Sequence, residues 1–367
     1  MGGSPYCLEG ISAILCCIAI AAASSCVTPS GGTGKCVPLE HCSNLFAIKQ
    51  LSHNVTENFE KILTQAECSL KDSRGKGLCC QLERNFRLPD NCGVSSNDRI
   101  AHGNKTEVFE YPWMALLMFR DTFSNELVGN CGGTLINERY VLTAAHCFKQ
   151  DKRFELEYVR LGEHTISEEP DCTRIVESGE VVETFCAPPV ENVPFESYII
   201  HPEYRTAFSG NDIALIRLAK AVTFKSHIQP ICLPLTANLK DTLLPRYIVS
   251  GWGLTEQIVH SDVLLKAALP RVDGRTCQQR INEVDQQKLN ITISPKQLCA
   301  GGVNLVDSCQ GDSGGPLMWP VDYLGRTRFV QFGVVSYGID SCGAVNFPAV
   351  YARVGSYMVW IILNMKA

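Results

Sequence analysis

The chain has 367 residues, 45% hydrophobic and 19% charged, with a formal net charge of -5. That length exceeds one average domain and can bury a sizeable core, while the composition excludes a disordered chain. A mildly acidic balance excludes a polyanion-binding surface, so nucleic acid is not an expected partner.

Residues 1–25 read as a cleavable secretory signal. An apolar run from Ile11 to Ala23 ends in the small residues Ala21, Ala22, Ala23, Ser24 and Ser25, placing cleavage before Cys26. The leader departs from the usual pattern in having no Lys or Arg and in carrying Glu9. The competing reading, an uncleaved membrane anchor, needs about 20 apolar residues, and this run is shorter. No membrane partner is expected.

Nineteen cysteines are too many for a reduced compartment. Removing Cys7, Cys16 and Cys17 with the signal leaves an even set that can close as disulfides in an extracellular protein. A zinc reading has no paired C-x-x-C ligand sets to rest on. Asn-x-Thr triplets at Asn54, Asn104 and Asn290 are compatible with glycosylation during secretion.

Residues 26–80 hold Cys26, Cys36, Cys42, Cys68, Cys79 and Cys80 beside Gly31, Gly32 and Gly34, and have too little core to stand without staples. Their order along the chain leaves every connectivity open. Residues 81–99 are polar, with a lone Cys92, and read as a linker. From Ile100 to the end, short β-rich runs such as Trp113–Phe119, Thr134–Leu142 and Phe329–Ser336 alternate with turn residues. That pattern predicts an all-β barrel or sandwich domain. The apolar end, Tyr357–Asn364, reads as a helix packed on that domain.

Three segments carry chemistry: LTAAHC (Leu142–Cys147), NDIAL (Asn211–Leu215) and DSCQGDSGGPL (Asp307–Leu317). A serine hydroxyl is a poor nucleophile at neutral pH. It needs a base to take its proton and a carboxylate to hold that base in the right tautomer. His146, Asp212 and Ser313 supply those three groups. Gly311 and Gly314 flank the nucleophile and permit a tight turn that can aim the Gly311 and Ser313 N–H groups at a developing oxyanion.

Together these motifs, with GDSGGP intact, closely resemble the chymotrypsin-fold (S1) serine proteases from Ile100 to the C-terminus. The resemblance implies a two-barrel domain with a C-terminal helix. It carries the triad roles onto His146, Asp212 and Ser313, and it places Asp307 at the floor of the specificity pocket. A buried carboxylate there selects Arg and Lys. The pocket wall falls to Ser336, Tyr337, Gly338 and Ala349. Tyr337 stands where Trp is typical and Ala349 where Gly is typical, so the extra methyl bears on the choice between Arg and Lys.

The resemblance also marks Arg99–Ile100 as the activation junction, with the freed Ile100 amine pairing with Asp312 to order the pocket and the oxyanion hole. His102 near the junction reads as solvent-facing. The implied disulfides are Cys131 with Cys147, Cys277 with Cys299, Cys309 with Cys342, and Cys92 with Cys232, the last tethering the amino-terminal module after activation; Cys172 and Cys186 bracket an insertion and are expected to pair with each other. No cofactor is expected for catalysis. Glu163, Thr165, Glu168 and Asp171 match a loop where relatives hold structural calcium, and an acidic solvated loop is the other reading.

The six amino-terminal cysteines, ending in adjacent Cys79 and Cys80, resemble the clip domain of arthropod serine proteases, which pairs Cys26 with Cys79, Cys36 with Cys68, and Cys42 with Cys80. Clip plus protease implies a secreted zymogen of a haemolymph cascade of innate immunity. Its expected partners are an upstream activating protease, a serpin inhibitor, and a protein substrate: prophenoloxidase in melanisation, a cytokine precursor in Toll activation, or a downstream zymogen. The alternatives are a non-catalytic clip homologue acting as a cofactor, which typically lacks the nucleophile present here as Ser313, and a digestive trypsin, which leaves the tethered clip unexplained.

Overall fold

A computed structural model describes residues 25–365 except 29–32, 40–41, 43–44, 46–47, 50–56, 71–74, 81–87, 96–103, 150–152, 178–179, 255–259, 285–290, 303–308 and 339–346. Residues 1–24 of the expected signal, the junction at Arg99 and Ile100, Asn54, Asn290, Asp307 and Cys342 lie outside the described residues. The chain divides into two compact units, one of residues 1–46 with 55–83, the other of residues 47–54 with 84–367.

The smaller unit is a four-stranded antiparallel sheet in the order β1-β2-β4-β3, built from β1 (Ser25–Val27), β2 (Thr33–Val37), β3 (Glu67–Ser69) and β4 (Lys76–Cys80). A helix, Glu57–Ala66, leads into β3. Disulfides join Cys26 with Cys79, Cys36 with Cys68, and Cys42 with Cys80, the pairs that the clip resemblance implies. Cys36, Cys42, Cys79 and Cys80 are all buried, so sulfur takes much of the space that aliphatic side chains fill in a larger domain.

The larger unit contains two seven-stranded sheets. The first runs β12-β9-β6-β7-β8-β14-β13, from β6 (Met114–Asp121), β7 (Leu127–Leu135), β8 (Tyr140–Thr143), β9 (Phe154–Leu161), β12 (Glu191–Val193), β13 (Phe195–Ile200) and β14 (Ala214–Leu218). Its core holds alternate residues that share one face of each strand: Ala115, Leu117 and Phe119 on β6, Val159 and Leu161 on β9, Ile216 and Leu218 on β14. Between its strands, β10 (Cys172–Glu177) and β11 (Glu180–Cys186) form a separate hairpin stapled by Cys172–Cys186.

The second sheet runs β15-β18-β19-β20-β17-β16-β5, from β5 (Asn104–Lys105), β15 (Arg246–Gly251), β16 (Leu265–Val272), β17 (Gln297–Ala300), β18 (Pro316–Tyr323), β19 (Arg326–Tyr337) and β20 (Ala349–Arg353). An additional β15–β16 pairing closes it into a barrel, which leaves few edges unpaired. Inside lie Tyr247, Val249, Val330, Phe332, Ala349 and Tyr351, again alternating. The two-barrel, all-β expectation holds. So does the C-terminal helix, Val354–Asn364, which buries Val354, Tyr357, Met358, Ile361 and Ile362 at helical spacing.

Two expectations need correction. Thr134–Leu142 is not one strand. Asn137 Oδ1 accepts the N–H groups of Arg139 (2.9 Å) and Tyr140 (2.7 Å), folding a tight turn between β7 and β8. Nor is residues 81–99 a linker throughout: Cys92 bonds to Cys232, and Gly93 exchanges backbone hydrogen bonds with Pro230 (2.8 Å) and Phe329 (2.9 Å). A covalent anchor with backbone pairing beside it makes that stretch part of the second barrel.

Candidate active site

Antiparallel pairing of β8 with β14 sets Thr143 opposite Ala214, so residues just after β8 and just before β14 emerge at the same end. His146, opening a short 3₁₀ turn, and Asp212 occupy those positions. The Asp212 carboxylate accepts the His146 backbone N–H at 2.8 Å through Oδ1 and meets His146 Nδ1 at 2.7 Å through Oδ2. Both residues are buried, which strengthens the pair and fixes the ring. With Nδ1 committed to a carboxylate, Nε2 is the nitrogen that can take a proton.

The nucleophile loop comes from the other barrel. Ser313 is half-buried, and its carbonyl accepts the Gly132 N–H at 2.7 Å, docking the loop on β7 beside Cys147 and hence beside His146. Gly314 has φ of 80°, and a Cβ there would fall 2.2 Å from Thr143 Oγ1 and 2.5 Å from Gly132 O. Only glycine fits that turn. The amides of Asp312, Gly314 and Gly315 donate to Cys309, Val335 and Asp312. Among the described residues no acceptor takes the amides of Gly311 or Ser313, the two expected to face an oxyanion.

Ser336 does more than the pocket-wall role expected for it. Its Oγ donates to Asp212 Oδ2 at 2.5 Å, so the triad carboxylate is gripped by hydroxyl, backbone amide and imidazole together. No local sequence signal marks this contact. Tyr337 follows, half-buried, with the partly exposed Phe208 edge-on at 4.9 Å. Gly338 is exposed and Ala349 is buried at the start of β20, where it pairs opposite Ala300.

Asp312 carries a carboxylate that accepts N–H bonds from Cys309 and Gly253, both at 2.8 Å. Burial raises its carboxyl to about 6, against the opposing pull of those bonds and of His260. Gly251 lines this cradle, where a Cβ would meet Asp312 Oδ1 at 2.1 Å. Leu265 pairs with Gly251 on one side and with Lys105 on the other, so β5 sits two strands from the cradle.

Most of the residues expected to hold calcium have protein partners in the structure. Asp171 accepts the N–H groups of His164 (2.8 Å) and Thr165 (2.7 Å), while Glu163 accepts His164 N–H (3.0 Å) and Arg160 Nη1 (3.2 Å). Thr165 Oγ1 meets His164 Nδ1 at 3.0 Å. Among the described residues, the group of His, Cys, Asp or Glu side chains close enough to share an ion is Cys131, His146 and Cys147, not Glu163, Glu168 and Asp171. Those two cysteines are bonded to each other. In the acidic loop the Arg160 guanidinium pairs with Glu163. Burial and neighbouring Asp171 raise the Glu163 carboxyl, and Arg160 opposes them.

Disulfides Cys131–Cys147, Cys277–Cys299 and Cys92–Cys232 fall where the resemblance places them. Cys309 is also disulfide-bonded. Asn104 lies in β5. No helix among the described residues is long and apolar enough to cross a membrane.

The Trypsin family model matches residues 100–361, and the model for the regulatory CLIP domain of proteinases matches residues 26–80. Serine protease grass of Drosophila melanogaster is 37% identical over 363 residues, covering 94% of this chain and 92% of that protein. Phenoloxidase-activating factor 3 of Holotrichia diomphalia is 39% identical over 349 residues, covering 93% and 94%. The crystal structure of the Drosophila Grass clip serine protease of the Toll pathway aligns with a TM-score of 0.65 at 36% identity, covering 93% of this chain and 96% of that one.

Proposed function

We propose, on the premise that this chain belongs to the trypsin family of serine proteases and carries a regulatory CLIP domain, that it is a secreted endopeptidase zymogen cutting after Arg or Lys. The observation that carries this reading is the convergence of His146, Asp212 and the Ser313 loop from two barrels onto one end of β8 and β14. Ser313 attacks the scissile carbonyl, His146 takes its proton and passes it to the leaving amine, and Asp212 holds the ring and balances the imidazolium. The amides of Gly311 and Ser313 stabilise the tetrahedral oxyanion. Asp307 draws the basic side chain into the pocket. Retention of Ser313 with both partners disfavours the non-catalytic homologue.

Activation follows cleavage after Arg99. The new amine at Ile100 precedes β5 by four residues, a reach of roughly 13 Å in extended chain, and two strand spacings amount to about 10 Å. That length is enough to span the distance to the Asp312 cradle. The substrate is another protein of an extracellular immune cascade, as the relatives' names, phenoloxidase-activating factor and Toll-pathway protease, suggest for those proteins. An upstream protease and a serpin complete its partners.

The test is to cleave purified protein after Arg99 and assay paired substrates ending in Arg, Lys and Phe, with Ser313→Ala as control. Hydrolysis of the basic substrates only after cleavage, lost in the control, supports the reading. Silence on all three after confirmed cleavage overturns it in favour of a cofactor role.

A further inference from the structure

The residue immediately before the triad carboxylate, Asn211, sits at φ 56°, in the left-handed region that non-glycine residues seldom adopt. Gly210 before it also has positive φ, at 79°. These two residues turn the chain out of the short helix Ala207–Ser209 and deliver Asp212 to β14. A conformation of that kind persists only where its surroundings hold it.

Here the surroundings come from the second barrel and the C-terminal helix. The buried Tyr357 accepts the Asn211 backbone N–H at 3.2 Å, and its hydroxyl donates to Asn211 Oδ1 at 3.4 Å. Lys296, just before β17, donates to the same Oδ1 at 3.2 Å. It also donates to Glu203 Oε2 at 3.2 Å and lies 5.9 Å from the centre of the Tyr357 ring. Its own backbone is fixed, because its carbonyl accepts the Arg353 N–H at 2.9 Å. Asn211 thus has both backbone and side chain bound, and Asp212 inherits its direction.

We propose that Tyr357 and Lys296 are positioning residues for catalysis, clamping Asn211 in its left-handed turn so that the Asp212 carboxylate meets His146. The proposal rests on the protease reading above. Both residues act through Asn211, so their loss is expected on turnover and not on substrate capture. Lys296 supplies a charged donor on a hydrogen bond that Tyr357 shares, and the pair ties the second barrel to the loop of the first barrel that carries the carboxylate.

The experiment compares Tyr357→Phe, Lys296→Met and Lys296→Arg in the enzyme cleaved after Arg99, each also built on Asn211→Gly. Tyr357→Phe is expected to lower kcat about tenfold, the scale of one lost hydrogen bond, with KM within about twofold. Lys296→Met should lower kcat severalfold, and Lys296→Arg should restore it. In the Asn211→Gly background, where the left-handed turn carries no side-chain penalty, the Tyr357→Phe effect should shrink. The proposal is overturned if kcat stays within twofold, if KM alone changes, or if the loss is the same in the Asn211→Gly background.

A readout independent of activity is the proton NMR resonance of the His146 Nδ1–H held by Asp212, recorded in Ser313→Ala protein. It should shift or broaden in Tyr357→Phe, and an unchanged resonance counts against the clamp. An inactive parent enzyme would overturn the protease reading while leaving this resonance to decide the clamp.

Discussion

Gly314 packs so closely on Thr143 that a Cβ there would fall 2.2 Å from Thr143 Oγ1. Thr143 is the last residue of β8, three before His146, and its hydroxyl already donates to Gly132 O at 2.8 Å. This contact seats the nucleophile loop of one barrel on the histidine strand of the other. Gly314→Ala should therefore lower kcat by more than about a hundredfold, because an ångström of misplacement at a nucleophile has that effect. Circular dichroism should show a folded protein with a lowered melting temperature. Near-normal kcat in that variant would mean the loop yields freely and the contact is incidental.

The Asp312 carboxyl, raised to about 6 by burial, makes the uncut protein sensitive to pH. The folded state holds this proton more tightly than the unfolded chain, so the associated stability is full below about pH 4 and is lost as pH rises through about 6. Two pH units correspond to on the order of 2–3 kcal/mol. Asp312→Asn should raise the melting temperature of uncut protein at pH 8 and leave it unchanged at pH 4. In cleaved protein the same substitution should abolish activity, because the Ile100 amine loses its partner. Thermal melts at the two pH values, with equal effects at both, would remove the buried charge from the account.

The Cys92–Cys232 disulfide spans 140 residues and crosses the activation junction. After cleavage at Arg99, the protein should run as one species on a non-reducing gel and as two on a reducing gel. Replacing both cysteines with serine should release the amino-terminal module on cleavage. It should also cost stability, typically about 2–5 kcal/mol for a native disulfide. Two bands on the non-reducing gel after confirmed cleavage would contradict the tether.

Arg160 pairs with Glu163 and the amides of His164 and Thr165 bind Asp171, so chelation should leave the melting temperature and the activity of the cleaved enzyme unchanged. Arg160→Met should destabilise the protein, because it leaves two buried carboxylates facing each other. A fall in melting temperature on chelation, reversed by calcium, would show that a cation and not the guanidinium holds the loop.

Much of this molecule was legible along the chain. LTAAHC, NDIAL and GDSGGP are contiguous strings whose chemistry is local, and short β-rich runs separated by turn residues give the all-β class. Other features were misread. Within Thr134–Leu142 the turn is itself marked in the sequence by Asn137, whose Oδ1 accepts the N–H two residues on. The polar stretch around Cys92 looks loose until Pro230 and Phe329 take up the hydrogen bonds of Gly93.

The sequence by itself determined which groups can do chemistry: the serine, the histidine, the carboxylates, and a set of cysteines too large for a reducing compartment. Tertiary structure decided how they are aimed. Ser336 grips Asp212 across 124 positions and Tyr357 holds Asn211 across 146, while Gly314 meets Thr143 from the other barrel. Such contacts obey neither helical nor strand periodicity, because they arise only when the two barrels bring distant residues within hydrogen-bond range.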